Sequence, residues 1–127
     1  ASLPGVPCIF YGDEIAMEGY HDPFNRRPFP SYGFNDEYSR LFAKINKLRS
    51  EEPLFKAIEL KVRVEREGVV SILRRASDEH LVILANMSEN DFEYSFSGKY
   101  ADILIGNICN GKVIIPAKKV MIFKSVR

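Results

Sequence analysis

The spacing of apolar residues changes period in mid-chain, and that change most limits what this chain can fold into. Tyr38, Leu41, Phe42, Ile45 and Leu48 recur at helical spacing. From Ile58 onward the apolar residues Ile58, Leu60, Val62 and Val64 alternate with Glu59, Lys61, Arg63 and Glu65. A helix returns every third or fourth side chain to one face and a strand every second, so the two patterns cannot share an element. The chain therefore divides near residue 55 into an α-containing part and an all-β part. Its 127 residues suffice for one ordinary core, or for a small domain with an appendage. A hydrophobic share of 46% and a charged share of 28% are those of a folded globular chain and argue against disorder.

The helical stripe predicts a helix over 36–50. Asn35 serves as its cap, Asp36 and Glu37 suit the positive end of the dipole, and Lys44, Lys47 and Arg49 lie toward the negative end. Pro53 stops it. Beyond Gly68, the runs 69–75, 81–86, 92–96, 103–105, 113–115 and 120–126 read as further short strands, with Asn110-Gly111 as the strongest hairpin signal. Counting the strand at 58–65, seven strands with no room for a helix between any pair predict an antiparallel β-sandwich over 56–127.

Residues 1–55 cannot make a domain by the same reasoning. The apolar run Cys8-Ile9-Phe10-Tyr11 shows no polar alternation and reads as a strand buried on both faces, which needs parallel neighbours. One such strand, a loop over 12–34 and one helix make half of a βαβ unit, with the strand's partners missing. If the chain begins at Ala1, this strand exposes unpaired edges, and self-association is expected. The loop is held by Pro23, Pro28, Pro30, Gly12 and Gly19 and carries Asp13, Glu14, Glu18, His21, Asp22, Arg26 and Arg27. A stiff, polar loop of this length is a usual place for binding or catalysis.

Composition removes several classes of function. The net charge is +1 and the basic pairs Arg74-Arg75 and Lys118-Lys119 form no stripe, so nucleic acid is not an expected partner. No apolar run approaches the roughly 20 residues of a membrane-spanning helix, and residues 1–5 lack the features of a signal peptide. Cys8 and Cys109 belong to no ligand-spaced set; as free thiols they slightly favour the cytoplasm. Phosphate is disfavoured at a helix start carrying Asp36 and Glu37. His21, Asp22, Glu14 and Glu18 match no metal-ligand spacing, and no cysteine or serine has a His in an activating motif. No cofactor, metal or catalytic residue is therefore assigned.

Two sets of loop residues remain. Asp13 and Glu14 are adjacent, so a strand would point them to opposite faces; the reading is structural, through bonds to loop amides or an arginine. Asp22 and Arg26 are different. The Pro-stiffened turn Asp22-Pro23-Phe24-Asn25-Arg26 can aim a two-oxygen acceptor and a multi-donor fork to one side, which would grip vicinal hydroxyls of a sugar. It can equally let the two side chains pair with each other and pin the loop. Tyr11, Tyr20, Phe24 and Phe29 are compatible with sugar stacking, although aromatics in such loops more often pack beneath them.

The stretch Gly5-Val6-Pro7-Cys8-Ile9-Phe10-Tyr11-Gly12-Asp13-Glu14 resembles the eighth-strand motif G-x-P-x-x-x-Y-G-x-E of the α-amylase family of glycoside hydrolases. Its continuation, from Met17 through Asp22-Pro23-Phe24-Asn25-Arg26 to Pro30, is most similar to the neopullulanase, cyclomaltodextrinase and maltogenic amylase branch. Ile83-Leu84-Ala85-Asn86-Met87-Ser88 resembles the V-x-x-N-x-S of that family's C-terminal sandwich. The resemblance implies that 1–55 is the last strand, loop and helix of a (β/α)8 barrel, with the loop on its catalytic face. It implies retaining hydrolysis or transfer at α-glucosidic bonds of cyclodextrins, pullulan or maltodextrins, with an α-glucan or maltooligosaccharide as partner. The catalytic carboxylates come from earlier strands, absent here, so the chain alone is expected to be inactive. Asp22 and Arg26 fall on D-P-x-x-R, whose Asp and Arg hold a glucose unit on the non-reducing side of the scissile bond. Gly5, Pro7, Tyr11, Gly12 and Glu14 fall on positions that shape the strand end. Ser31 stands where a tryptophan often follows, and the chain has no Trp. The other reading of the chain is a non-catalytic β-sandwich that binds carbohydrate or serves as a scaffold.

Overall fold

The computed structural model describes residues 2–31 and 36–126, which form two compact units. One comprises Leu3–Glu52; the other starts at Pro53 and takes in Ser2. The cap expected at Asn35 lies outside the described residues.

The second unit is antiparallel β. Its strands are β1 (Glu59–Arg66), β2 (Val69–Ala76), β3 (Glu79–Asn86), β4 (Phe92–Asp102), β5 (Ile108–Ile115) and β6 (Lys119–Ser125). They are hydrogen-bonded in the order β1-β2-β3-β6-β4-β5. Two hairpins start the sheet, and Gly68 makes the first: its φ of 75° suits glycine, and a Cβ there would lie 3.2 Å from Ser88. The last strand then inserts between β3 and β4.

A bulge in β4 turns this one sheet into two packed layers. Ser95 faces Lys112 and Lys99 faces Asn110, so three residues of β4 bulge opposite the single Gly111 of β5. Gly98 and Gly111 both have positive φ there, 112° and 85°. Beyond the bulge, Tyr100–Asp102 pair with β6, whereas the first residues of β4 pair only with β5. Tyr94, before the bulge, lies against Ser71 of β2 and within reach of the charges of Glu65 and Arg63 of β1, although β2 and β1 are not its sheet neighbours. The β4–β5 half has folded across the face of the β1–β3 half, which is the β-sandwich expected from the sequence.

The core fills the space between the layers. Val82, Leu84, Phe96, Tyr100, Ile115 and Phe123 are its buried members. The Phe96 ring stacks on Tyr100 at 4.4 Å and meets Phe123 edge-on at 5.0 Å, favoured arrangements for aromatic quadrupoles. Asn86 closes one end of the core. Its fully buried amide donates to the carbonyls of Asn90 (2.9 Å), Ile115 (3.0 Å) and Pro116 (3.2 Å), while its Oδ1 accepts from the amide and hydroxyl of Ser88. This gives the N-x-S pattern a physical role: one side chain joins β3, β5 and the 86–90 turn. The opposite face of β2, β3 and β6 is buried as well, through Ile72, Leu81, Ile83 and Ile122. The turn Pro53–Lys56 contacts β2 and β3, and its Leu54 and Phe55 are almost fully buried.

Three local expectations change. Residues 103–105 are a turn, not a seventh strand: Asp102 Oδ1 accepts from the amides of Leu104 and Ile105, and the Asp102 amide donates to the Asn107 carbonyl. Asn110-Gly111 lies inside β5, because its positive-φ glycine serves the bulge instead of a hairpin. The apolar row of β1 is not a buried face; β1 is an edge strand, and Val64 is 71% exposed.

In the first unit, α1 (Asp36–Glu51) forms as the stripe predicts, and Arg49 Nη2 donates to the Gly5 carbonyl at 2.6 Å. None of its residues is buried. Residues 8–11 carry no ladder and are exposed, in contrast to the expected buried strand. Strand hydrogen bonds are supplied by neighbouring strands, and no described strand lies beside them.

Candidate functional site

The loop after residue 11 is organised by backbone amides seeking partners. Gly12 has φ 93°, and its carbonyl accepts from the amides of Ile15 (3.2 Å) and Met17 (2.9 Å). A Cβ at Gly12 would fall 2.5 Å from the Met17 methyl carbon. Asp13 Oδ2 accepts from the Phe10 amide at 2.9 Å and Glu14 Oε2 from the Gly12 amide at 3.1 Å. The two carboxylates thus hold the loop's own backbone, the structural role expected of them. Tyr11 donates its hydroxyl to the Arg27 carbonyl at 3.2 Å and meets the Phe29 ring edge-on at 5.7 Å, so the loop's far end is tied to its start.

Between these ties the chain makes a tight turn over Phe24–Arg26, with a cis bond at Asp22-Pro23. The Phe24 amide donates to the His21 carbonyl and the Arg26 amide to the Pro23 carbonyl. One turn after Asp22, the guanidinium of Arg26 returns onto its carboxylate in a fork: Nε to Oδ1 and Nη2 to Oδ2, both 3.2 Å. The side chains are 62% and 76% exposed. This is the mutual pairing that the sequence offered as the alternative to a sugar grip; a pair so exposed contributes on the order of 0–1 kcal/mol to stability. It keeps acceptors and donors presented together toward solvent.

An open concavity of about 920 Å³ lies beside this fork, lined by Glu18, Gly19, Tyr20, His21, Pro23, Phe24, Arg26 and Arg27. The sequence placed Asp22 and Arg26 in one turn, and the structure brings them together. The sequence named Tyr20 and Phe24 as compatible with sugar stacking and Glu18, His21 and Arg27 as polar residues of the same loop, and the structure sets them around one concavity. Among the described residues, no three His, Cys, Asp or Glu side chains converge as metal ligands.

Comparison with known proteins bears on both units. The maltogenic α-amylase of Bacillus acidopullulyticus is 29% identical over 117 residues, 87% of this chain and 20% of its own length. The amylopullulanase of Thermoanaerobacter thermohydrosulfuricus is 35% identical over 72 residues, 57% of this chain and 5% of its own. No protein-family model matches the chain. Among solved structures, the maltogenic amylase of S. marinus superposes with TM-score 0.81 at 29% identity, over 98% of this chain and 18% of that one. The Anoxybacillus α-amylase superposes with TM-score 0.86 at 24% identity, over 97% of this chain and 29% of that one, and speaks for the fold alone. The β-sandwich accordingly matches the C-terminal domain of α-amylase-family enzymes. The chain spans a fifth or less of the two curated relatives just named.

Proposed function

We propose that this chain is the C-terminal part of a retaining α-glucan hydrolase or transglycosylase, acting on α-glucosidic bonds of cyclodextrins, pullulan or maltodextrins. In this reading Asp22 and Arg26 hold a glucose unit on the non-reducing side of the scissile bond. The observation that carries it is the exposed Asp22–Arg26 fork at the rim of an open concavity, within the stretch that resembles the family motif. The carboxylate can accept from two hydroxyls and the guanidinium can donate to two more, so the pair presents a pattern that vicinal diols complete. Because the two side chains already hold each other in position, less freedom is lost when the sugar arrives. The names of the relatives, a maltogenic amylase and an amylopullulanase among them, support the substrate class.

The remaining parts follow from that assignment. Residues 1–55 supply the last strand, loop and helix of a (β/α)8 barrel, with the ladder partners of residues 8–11 coming from the rest of that barrel. Residues 56–127 serve as a structural sandwich. The carboxylates that form and hydrolyse the glycosyl-enzyme belong to the barrel outside this chain.

The test compares the pure 127-residue chain, expected to show no turnover of pullulan or cyclodextrin, with the full-length gene product that carries it. In the full-length protein, Asp22→Ala leaves the guanidinium and the sugar hydroxyls without an acceptor, a loss of about 1–3 kcal/mol in kcat/KM for maltooligosaccharides. An unchanged kcat/KM rejects the sugar grip, and turnover by the isolated chain rejects the placement of the catalytic groups elsewhere.

A further inference from the structure

Among the described residues β1 pairs with β2 alone, so one row of its amides and carbonyls has no ladder partner. Its register with β2 runs unbroken from Glu59–Arg75 to Val64–Val70, and the bulge comes only after Val64. An unbroken edge of this kind is a template for another strand. The opposite margin is not: the register of β5 is interrupted at Gly111, and its Lys112 is already paired with Glu93 of β4 at 2.6 Å. Successive side chains of β1 alternate between faces. Leu60, Val62 and Val64 share one face, where Val62 is 55% exposed although Ile72, opposite it on β2, is 9% exposed. Glu59, Lys61 and Arg63 share the other. Glu59 lies 4.0 Å from Lys61 of its own strand, and Arg63 makes no hydrogen bond or ion pair among the described residues.

These two rows are complementary to themselves. A second copy added antiparallel about a two-fold axis must set residues of one face opposite residues of the same face, which leaves registers centred on Lys61, Val62 or Arg63. About Val62, Glu59 would oppose Glu65 and Lys61 would oppose Arg63, like charge on like. About Arg63, Lys61 would need Glu65, whose carboxylate already accepts from Ser71 Oγ at 2.5 Å and which the bulge leaves out of register. About Lys61, every neighbour off the axis suits: Glu59 opposes Arg63 of the second copy, twice, and Leu60 opposes Val62 of the second copy, also twice. The two lysines meet on the axis itself, where each keeps its own Glu59 within 4.0 Å and has a long stem to turn away. We propose that β1 is a self-association edge, at which two copies of this chain pair β1 to β1 in the register centred on Lys61 and continue the sheet. Eight residues a side make a contact below the standard interface size, so the dimer is weak and concentration-dependent.

Sedimentation velocity of the full-length gene product over a concentration series tests it, with mild oxidation of cysteine variants in a Cys8→Ser background. Glu59→Lys and Arg63→Glu each set like charges opposite one another at two places, and each should weaken association about tenfold. The double variant restores opposite charges and should associate as the parent does, a rescue that general stickiness does not give. Lys61→Cys should cross-link to a second copy of itself, because opposed residues of antiparallel strands lie within disulfide range. Arg63→Cys alone should not, since it is set four residues from its own counterpart, yet it should cross-link when mixed with Glu59→Cys. The cross-links keep the proposal open to test if a charge variant fails to fold. Association unchanged in both single charge variants, or not restored in the double, overturns it, as does cross-linking of Lys61→Cys no faster than that of Lys112→Cys on β5. A parent that stays monomeric at every concentration also overturns it, and slow exchange at the β1 amides would then show that another part of the protein covers this edge.

Discussion

Tyr94, Tyr100 and Cys109 are acids that the sandwich keeps neutral. Burial pushes the Tyr100 hydroxyl above its ordinary value of 10.0. Burial does the same for Tyr94, helped by the negative charge of Glu65 and opposed by Arg63 and a hydrogen bond with Ser71. Burial also raises the Cys109 thiol above 9.0, and Asp102 adds to the effect, while backbone hydrogen bonds work against it. In each case the folded state holds its proton to higher pH than the unfolded chain does. Their contribution to stability is therefore complete below the unfolded values and is lost as pH climbs from those values through the raised ones. The urea midpoint is expected to fall steadily from about pH 9 upward, with a shallower fall in Tyr100→Phe. A midpoint that stays level through the alkaline range rejects the burial of these groups. Of the candidate site, the Asp22–Arg26 pairing was legible at this same scale, since a proline-stiffened turn leaves residues four apart on one side. The exposure of Tyr20 and Phe24 was not, because whether a ring sits over or under a loop depends on the path of the whole loop.

At the scale of elements, the loop holding the site begins with one backbone conformation. Gly12 at φ 93° directs its carbonyl to two amides, and its missing side chain leaves room for Met17. An alanine there must take a left-handed conformation, at roughly 1–2 kcal/mol, and also displace the Met17 side chain. Gly12→Ala is expected to speed amide exchange at Ile15 and Met17 about tenfold while leaving β3 amides unchanged. Unchanged protection at both loop amides would show that the turn does not depend on this glycine. Element type was mostly readable from the sequence: α1 and the strands at β1, β2, β3 and β6 follow directly from apolar period. Two of the misread elements, the turn at 103–105 and the bulge at Gly111, involve turn or glycine chemistry, whereas the exposed row of β1 and the unpaired residues 8–11 depend on which strands lie beside them. Gly111 carries the same signal for a hairpin and for a bulge, since both need positive φ, and only the partner strand decides which forms.

For the whole molecule, the distribution of buried apolar groups is uneven. Among the described residues, Ile15 is the one buried apolar side chain before Leu54, whereas Leu54, Phe55 and the sheet residues hold the remainder. The unit starting at Pro53 thus has its own core, and roughly 75 residues are enough for independent folding. A fragment of residues 53–127 should melt cooperatively, with β-type circular dichroism and dispersed amide proton shifts. A broad, non-cooperative melt would mean that the sandwich depends on residues before Pro53.

The sequence by itself determined the division near residue 55, the helix, the alternating strands and the motif that ties residues 5–30 to a glycoside hydrolase family. All of these are local: period and turn chemistry act within a few residues, so they can be read where they stand. Only the tertiary structure decided that β6 inserts between β3 and β4, that β4 crosses layers at Gly98 and Gly111, and that Asp22 and Arg26 share a rim with two exposed rings. Those outcomes are set by contacts between residues far apart in sequence, whose balance no single stretch contains.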